Sequence, residues 1–308
     1  MKHHAFAVAA GIFGAATGGG WAESLDNIGI ISGPLGNSFY VSLAAGAEAA
    51  AKEINPDAKV TVTSYENDLG KQFNLIDSLT ASGAQLIALV AADPDAITPA
   101  IKKAVDAGVT VVGMDAAANA AQANVVTDNV QGGYIVCSYI AEQMGGEGKV
   151  ALINGPQVQG VIDRIAGCNQ ALAENPGIKI VADEEGDASR DSGFSVMQRI
   201  LTREGKVDGV FAINDPMAIG ANLAAKQAGY SGITIGGFDG GAELVNELKS
   251  ESMVAASAAQ DPFSLGFQAV KLGAAIRDGS EAAGQLVKAP TGLVTRDTVD
   301  SYPGWREK

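Results

Sequence analysis

Three short segments of this chain occur twice, in the same order and at nearly constant spacing. Ile31-Ser32-Gly33-Pro34 is echoed by Ile153-Asn154-Gly155-Pro156, 122 positions later. Asp93-Pro94-Asp95-Ala96-Ile97 is echoed by Asp215-Pro216-Met217-Ala218-Ile219 at the same offset, and Val112-Gly113-Met114-Asp115 by Gly236-Gly237-Phe238-Asp239 at an offset of 124. A repeat of this length constrains the fold before any element is assigned, because each copy must bury a core of its own. With 308 residues there is room for two such units. The alternative is one large continuous sheet.

Each copy alternates short apolar runs with amphipathic stretches. Ile28–Ser32, Val60–Ser64, Leu86–Val90 and Val109–Met114 read as strands. Phe39, Leu43, Ala47, Ala50 and Ile54 recur at helical spacing, and Phe73, Ile76 and Leu79 mark a second helix. Asp93-Pro94 reads as the N-cap and first-turn proline of a third. Strands rich in Ile and Val between helices predict an α/β fold of two similar doubly wound parallel sheets, covered on both faces. Ligands of such sheets bind outside the carboxyl ends of the strands. Asp115 and Asp239 each follow an apolar strand directly, and Asn214 ends the run Gly209–Ile213. Asp215 is expected to cap the helix that begins at Pro216.

The first 22 residues read as a secretory signal: a short basic start, an apolar run from Ala5 to Ala16, and small residues at Gly20 and Ala22 before the cut. A retained N-terminal anchor is the alternative. That apolar run is too short to span a bilayer, and no later stretch approaches the required length. Both histidines, His3 and His4, fall inside the leader. The mature chain would then have no imidazole for Ser-His-Asp or Cys-His catalysis or for metal binding. Hydrolysis by a carboxylate pair stays open in principle. Without Lys2, 20 basic residues face 35 acidic ones, and this excess argues against nucleic acid and anionic membrane as partners. No dinucleotide fingerprint or P-loop occurs, and no cofactor is expected. Cys137 and Cys168 lie on predicted helices. In an oxidising compartment they suggest a disulfide, with two buried thiols as the alternative.

The segments DNIGIISGPLGNSFYVSLAAGA (26–47), TDNVQGG (127–133), DRIAGC (163–168), VFAINDPMAIGA (210–221), IGGFDGG (235–241) and AAQDPFSLG (258–266) resemble, in order, the motifs of ribose-binding proteins. These are the periplasmic sugar-binding components of ABC importers, with the type I periplasmic binding fold. The resemblance implies two lobes joined by a three-strand hinge near Thr127–Asn129, Gln260 and Lys288–Thr291. The lobes would be 23–127 plus 261–289 and 128–260 plus 290–308. It also implies a small polyhydroxylated ligand held by Asn37, Phe39, Tyr40 and Asp115 from the first lobe, by Arg164, Asn214 and Asp239 from the second, and by Gln260 at a crossover. Carboxylates accept from vicinal hydroxyls, the guanidinium donates a planar fork, amides do both, and rings cover C–H faces. Phe39 has an equal claim as a core residue. The implied partner is a membrane ABC permease, and the implied state is a periplasmic monomer.

The sequence departs from that pattern at three places. Ala116 stands where an Arg commonly follows the aspartate, Ala188 where an aromatic ring is usual, and Gly33 where a hydroxyl residue is usual. These changes count against ribopyranose in the usual pose and leave another pentose, a furanose, a tetritol, a pentitol or a cyclitol. Arg190 is a further candidate donor. Rival readings are a chemotaxis receptor partner, a carbohydrate-acting enzyme and a repressor-type regulator. The last needs an N-terminal DNA-binding module for which this chain has no space.

Overall fold

A computed structural model describes residues 24–305; the expected leader, 1–22, lies outside the described residues. The first unit opens with β1 (Asn27–Ser32), α1 (Ser38–Ile54), β2 (Lys59–Ser64) and α2 (Leu69–Ala81). It continues through β3 (Leu86–Leu89), α3 (Thr98–Asp106), β4 (Thr110–Met114) and β5 (Ala123–Thr127). The second unit has α4 (Asn129–Gln143), β6 (Glu147–Asn154), α5 (Gln159–Ala173), β7 (Gly177–Glu185) and α6 (Arg190–Glu204). After these come β8 (Gly209–Ala212), α7 (Asp215–Gln227), β9 (Thr234–Asp239), α8 (Ala242–Leu248) and β10 (Val254–Ala259). The chain ends with α9 (Pro262–Arg277), β11 (Gln285–Ala289) and β12 (Gly292–Thr295).

The repeat seen in the sequence is a repeat of topology. One six-stranded sheet runs β11-β5-β4-β3-β1-β2, and the other runs β12-β10-β9-β8-β6-β7. Replacing each strand by its counterpart one unit later converts the first order into the second. All neighbours are parallel except β12, which lies antiparallel on β10 at the sheet edge. The central strands β1, β3 and β4 are buried almost throughout, as apolar runs without polar alternation require in a sheet covered on both faces. Each sheet has its own hydrophobic core.

Three crossings connect the sheets: after β5, after β10, and between β11 and β12. Hydrogen bonds tie them to one another. The Thr127 hydroxyl donates to Gln260 Oε1 at 2.6 Å, and the Asp128 N–H to the Ala289 carbonyl at 2.7 Å. Gln131 exchanges bonds with the backbone of Thr291.

Two local expectations need correction. Asp93 does not cap a helix, because its carboxylate accepts from the N–H groups of Asp95 and Ala96, which closes a turn instead. The helix starts later, at Thr98, with Pro99 in its first turn. Asp215 is not the cap of α7 either. Asn214 takes that position, accepting from the Met217 N–H at 3.0 Å. The Asp215 side chain turns inward, as described below.

Candidate functional site

The carboxyl ends of the two sheets face each other across a cleft of about 570 Å³, within the usual range for small-molecule sites. All eight residues expected at a ligand line it: Asn37, Phe39, Tyr40, Asp115, Arg164, Asn214, Asp239 and Gln260. Ala188, Asp215, Glu243 and Trp305 join them.

The second lobe's groups are bound to one another. The Arg164 guanidinium lies 3.7 Å from the centroid of the Phe238 ring, a cation–π contact. Its Nε donates to Asn129 Oδ1 at 2.9 Å, and its Nη1 to the Ile213 carbonyl at 2.7 Å and to Asp239 Oδ1 at 3.4 Å. Among the described residues, none of these hydrogen bonds engages Nη2. Asp239 Oδ1 also accepts from Gln260 Nε2 at 2.8 Å. Burial raises the Asp239 pKa, while the facing Arg164 and the Gln260 hydrogen bond pull it down.

The α4–α5 crossing sets where Arg164 stands. A Cβ added at Gly133 would lie 2.0 Å from the Arg164 carbonyl oxygen, and one at Gly167 would lie 1.9 Å from that of Val130. Only glycine lets these backbones touch. One helical turn beyond Gly133 and Arg164, Cys137 and Cys168 form a disulfide with Cα atoms 5.0 Å apart.

The first lobe presents a less constrained set. Asn37 caps α1, accepting from the Phe39 N–H at 2.9 Å. Phe39 is 8% exposed, belongs to the first core, and still forms part of the cleft wall. Its ring meets Tyr40 edge-on at 5.4 Å. An added Cβ at Gly33 would lie 2.6 Å from the Tyr40 ring, so the ring occupies the space a larger residue there would need. Asp115 lies partly open to the cleft. Burial pushes its carboxyl up to about 7, against the lowering effect of Arg164, with Asp239 adding to the rise. The Tyr40 hydroxyl is raised by burial and by Asp115.

Asp115 and Asp239 share one more feature. Their φ angles are +63° and +122°, a region that costs a non-glycine residue about 1–3 kcal/mol. A positive φ thus recurs at the end of the fourth strand of both units, each time at a residue that lines the cleft.

Asn214 gives its amide N–H to the Ala188 carbonyl at 2.8 Å while its oxygen caps α7. Asp215, only 4% exposed, accepts from the Ser257 hydroxyl at 2.7 Å and from the Gly241 N–H at 2.9 Å. It thus holds the turn that follows Asp239. Arg190 does not line the cleft; it pairs with Glu243 at 2.5 Å, and Glu243 does line it.

Sequence reasoning missed Asn129, Asp215 and Trp305. Asn129 sits in TDNVQGG, where its neighbours read only as a crossover. Trp305 lies in a tail with no periodicity and reaches Asp239 from 66 positions away.

A family model described as a periplasmic binding protein domain matches residues 28–281. The chain belongs to that family. Its relatives include the ribose import binding protein of Escherichia coli, 33% identical over 256 residues, covering 81% of this chain and 84% of the relative. The D-apiose import binding protein of Actinobacillus succinogenes is 31% identical over 247 residues, covering 79% of each. Among solved structures, an ABC transporter periplasmic solute binding protein from the same organism with bound D-allose superposes with a TM-score of 0.82. It is 28% identical, covering 90% of this chain and all of its own. These relatives are binding proteins of the type I fold. Among the described residues, no helix is long and apolar enough to cross a membrane.

Proposed function

We propose that this chain is an exported solute-binding protein that takes a sugar or polyol into the cleft and delivers it to a membrane ABC permease. The observation that carries the reading is the convergence on one cavity of four carboxylates, a guanidinium, three amides and several rings from both lobes. Hydroxyl groups both donate and accept, so a ligand rich in them suits such a mixed set better than a singly charged one. The names of the relatives, for ribose, D-apiose and D-allose, support the same class.

In this reading Asp115 and Asp239 accept from vicinal hydroxyls, and Arg164 donates through the Nη2 that its own lobe leaves unused. Asn37, Asn214 and Gln260 add amide contacts, and Phe39 and Tyr40 cover C–H bonds. Arg190 acts from the rim, through or in place of Glu243. A ligand touching both lobes favours the closed arrangement by its differential affinity for it. The bodies that move are 23–127 with 261–289 and 128–260 with 290–308, about the three crossings. The site binds and releases its ligand unchanged in this reading; no histidine occurs beyond position 4 to carry imidazole-based turnover, and the relatives are binding proteins. The working form is a periplasmic monomer released from residues 1–22.

Gly33, Ala116 and Ala188 favour a furanose, a pentose other than ribopyranose, a tetritol, a pentitol or a cyclitol. The test is a thermal-shift panel of pentoses, hexoses, tetritols, pentitols and inositols. A ligand at a thousandfold excess over its Kd should stabilise the chain by about 4 kcal/mol. A panel without effect, alongside a shift from an amino acid or nucleoside, would sink the sugar reading.

A further inference from the structure

We propose that Trp305, on the C-terminal tail, is a specificity-determining contact that covers the C–H face of the ligand and ties the two lobes together at the cleft. The proposal rests on the sugar or polyol reading above.

The tail leaves the second lobe after β12 and crosses the cleft. Tyr302 packs on the second core, and its hydroxyl donates to the Gly240 carbonyl at 2.9 Å. Three residues later Trp305 packs on the first core. Its ring meets Phe39 at 5.5 Å with an interplanar angle of 79°. On the other side its Nε1–H donates to the Asp239 carbonyl at 3.1 Å. A Cβ added at Gly241 would lie 3.4 Å from its Cη2. The indole therefore touches both lobes, beside one of the two strand-end carboxylates, and forms part of the cavity wall.

What such a ring can do follows from its chemistry. The only polar atom of the indole is already paired, so its remaining surface is an apolar π-face. That surface suits the C–H bonds of a sugar and not its hydroxyls. The ring expected near Ala188 is missing, and Trp305 brings one to the same cavity from the other end of the chain. An indole rewards a ligand that gathers C–H bonds on one face, as a closed-ring sugar or cyclitol does. It also couples binding to closure, since separating the lobes must break its contact with Phe39 or its bond to Asp239.

Trp21 and Trp305 are the two tryptophans of the sequence. In full-length W21F, emission therefore reports on Trp305 alone. Titration with the best compound of the thermal-shift panel should change that emission saturably, with the midpoint found by calorimetry. W305A should weaken binding about tenfold or more, whereas W305F, which keeps a ring, should stay within about threefold. If W305A does not fold, as its ligand-free melt would reveal, the emission change and W305F decide instead. Parental affinity in W305A, or in its absence an emission unmoved at saturation, overturns the assignment and leaves the sugar reading standing. A parent that no polyhydroxylated compound stabilises overturns the sugar reading, and this proposal with it.

Discussion

The two lobes share one strand order, yet they prepare their halves of the cleft differently. In the second lobe Arg164, Asp239 and Gln260 are bound to one another, and behind them α4 and α5 are locked by a glycine contact and a disulfide. In the first lobe Asp115 stands at the same place in the repeat, with its carboxyl pushed up to about 7. Two copies of one unit have thus divided the work. One ties its charged groups to one another, and the other keeps a carboxylate that burial pushes toward its neutral form and whose ionisation the proposed ligand would favour. Preorganisation lowers the cost of binding on one side, and the gain on binding is concentrated on the other.

The division can be broken most severely at Arg164. R164A leaves Asp239 without its cationic partner, with only the Gln260 hydrogen bond, and the Ile213 carbonyl without its donor. It should cost about 3–5 kcal/mol of stability and abolish measurable ligand binding in calorimetry. D115N should separate the two properties: binding lost, yet a ligand-free melt raised by about 1–2 kcal/mol, because an amide is less costly to bury than a carboxylate. If D115N melts lower than the parent, the contrast between the lobes is wrong.

Removing the disulfide in C137S/C168S should cost about 3–4 kcal/mol, from the chain entropy regained by a loop of this length. Chemical denaturation should show that the loss falls on the second lobe first.

Acidity should separate the lobes in a third way. The Asp115 pKa is raised on folding, so the native state holds a proton that the unfolded chain has lost between about pH 4 and 7. Its contribution is therefore unfavourable above pH 7, and it is relieved as pH falls through that value, by up to about 1.4 kcal/mol per pH unit. Ligand hydroxyls favour the ionised form, so affinity should move the opposite way and rise with pH between 6 and 8. The parent minus D115N difference in melting, followed against pH, isolates this group from Asp215 and Asp239, whose pKa values are also raised. The smallest effect is expected at G33S. Its added atoms must displace the Tyr40 ring, which should lower affinity about threefold with little change in fold.

Much of this was legible in the sequence because it depended on local pattern. The repeat implied two equal sheets, the apolar runs located the central strands, and strand-end acids marked Asp115 and Asp239. What was not legible depended on distant partners. Asp93 and Asp215 both precede proline and both read as caps. The first closes a turn because N–H groups two and three positions on are within reach. The second is drawn inward by Ser257 and Gly241, which sequence spacing does not reveal. Asn129 is a helix-start residue until Arg164 arrives from another helix. Trp305 carries no spacing signal, since its neighbours lie in the first unit and at the end of β9.

The three crossings also bear on how the chain is made. The first sheet begins at residue 27, but its edge strand β11 ends at residue 289, and its core includes Leu265, Ala269 and Val270 of α9. Gly266 must reach the α1 backbone before that helix is covered: a Cβ there would lie 2.0 Å from the Leu43 carbonyl oxygen. The first lobe to be started is therefore among the last parts to be finished. A nascent chain cannot complete it while α9 and β11 are still in the ribosome. The topology thus holds back completion of that lobe until nearly the whole chain has been made.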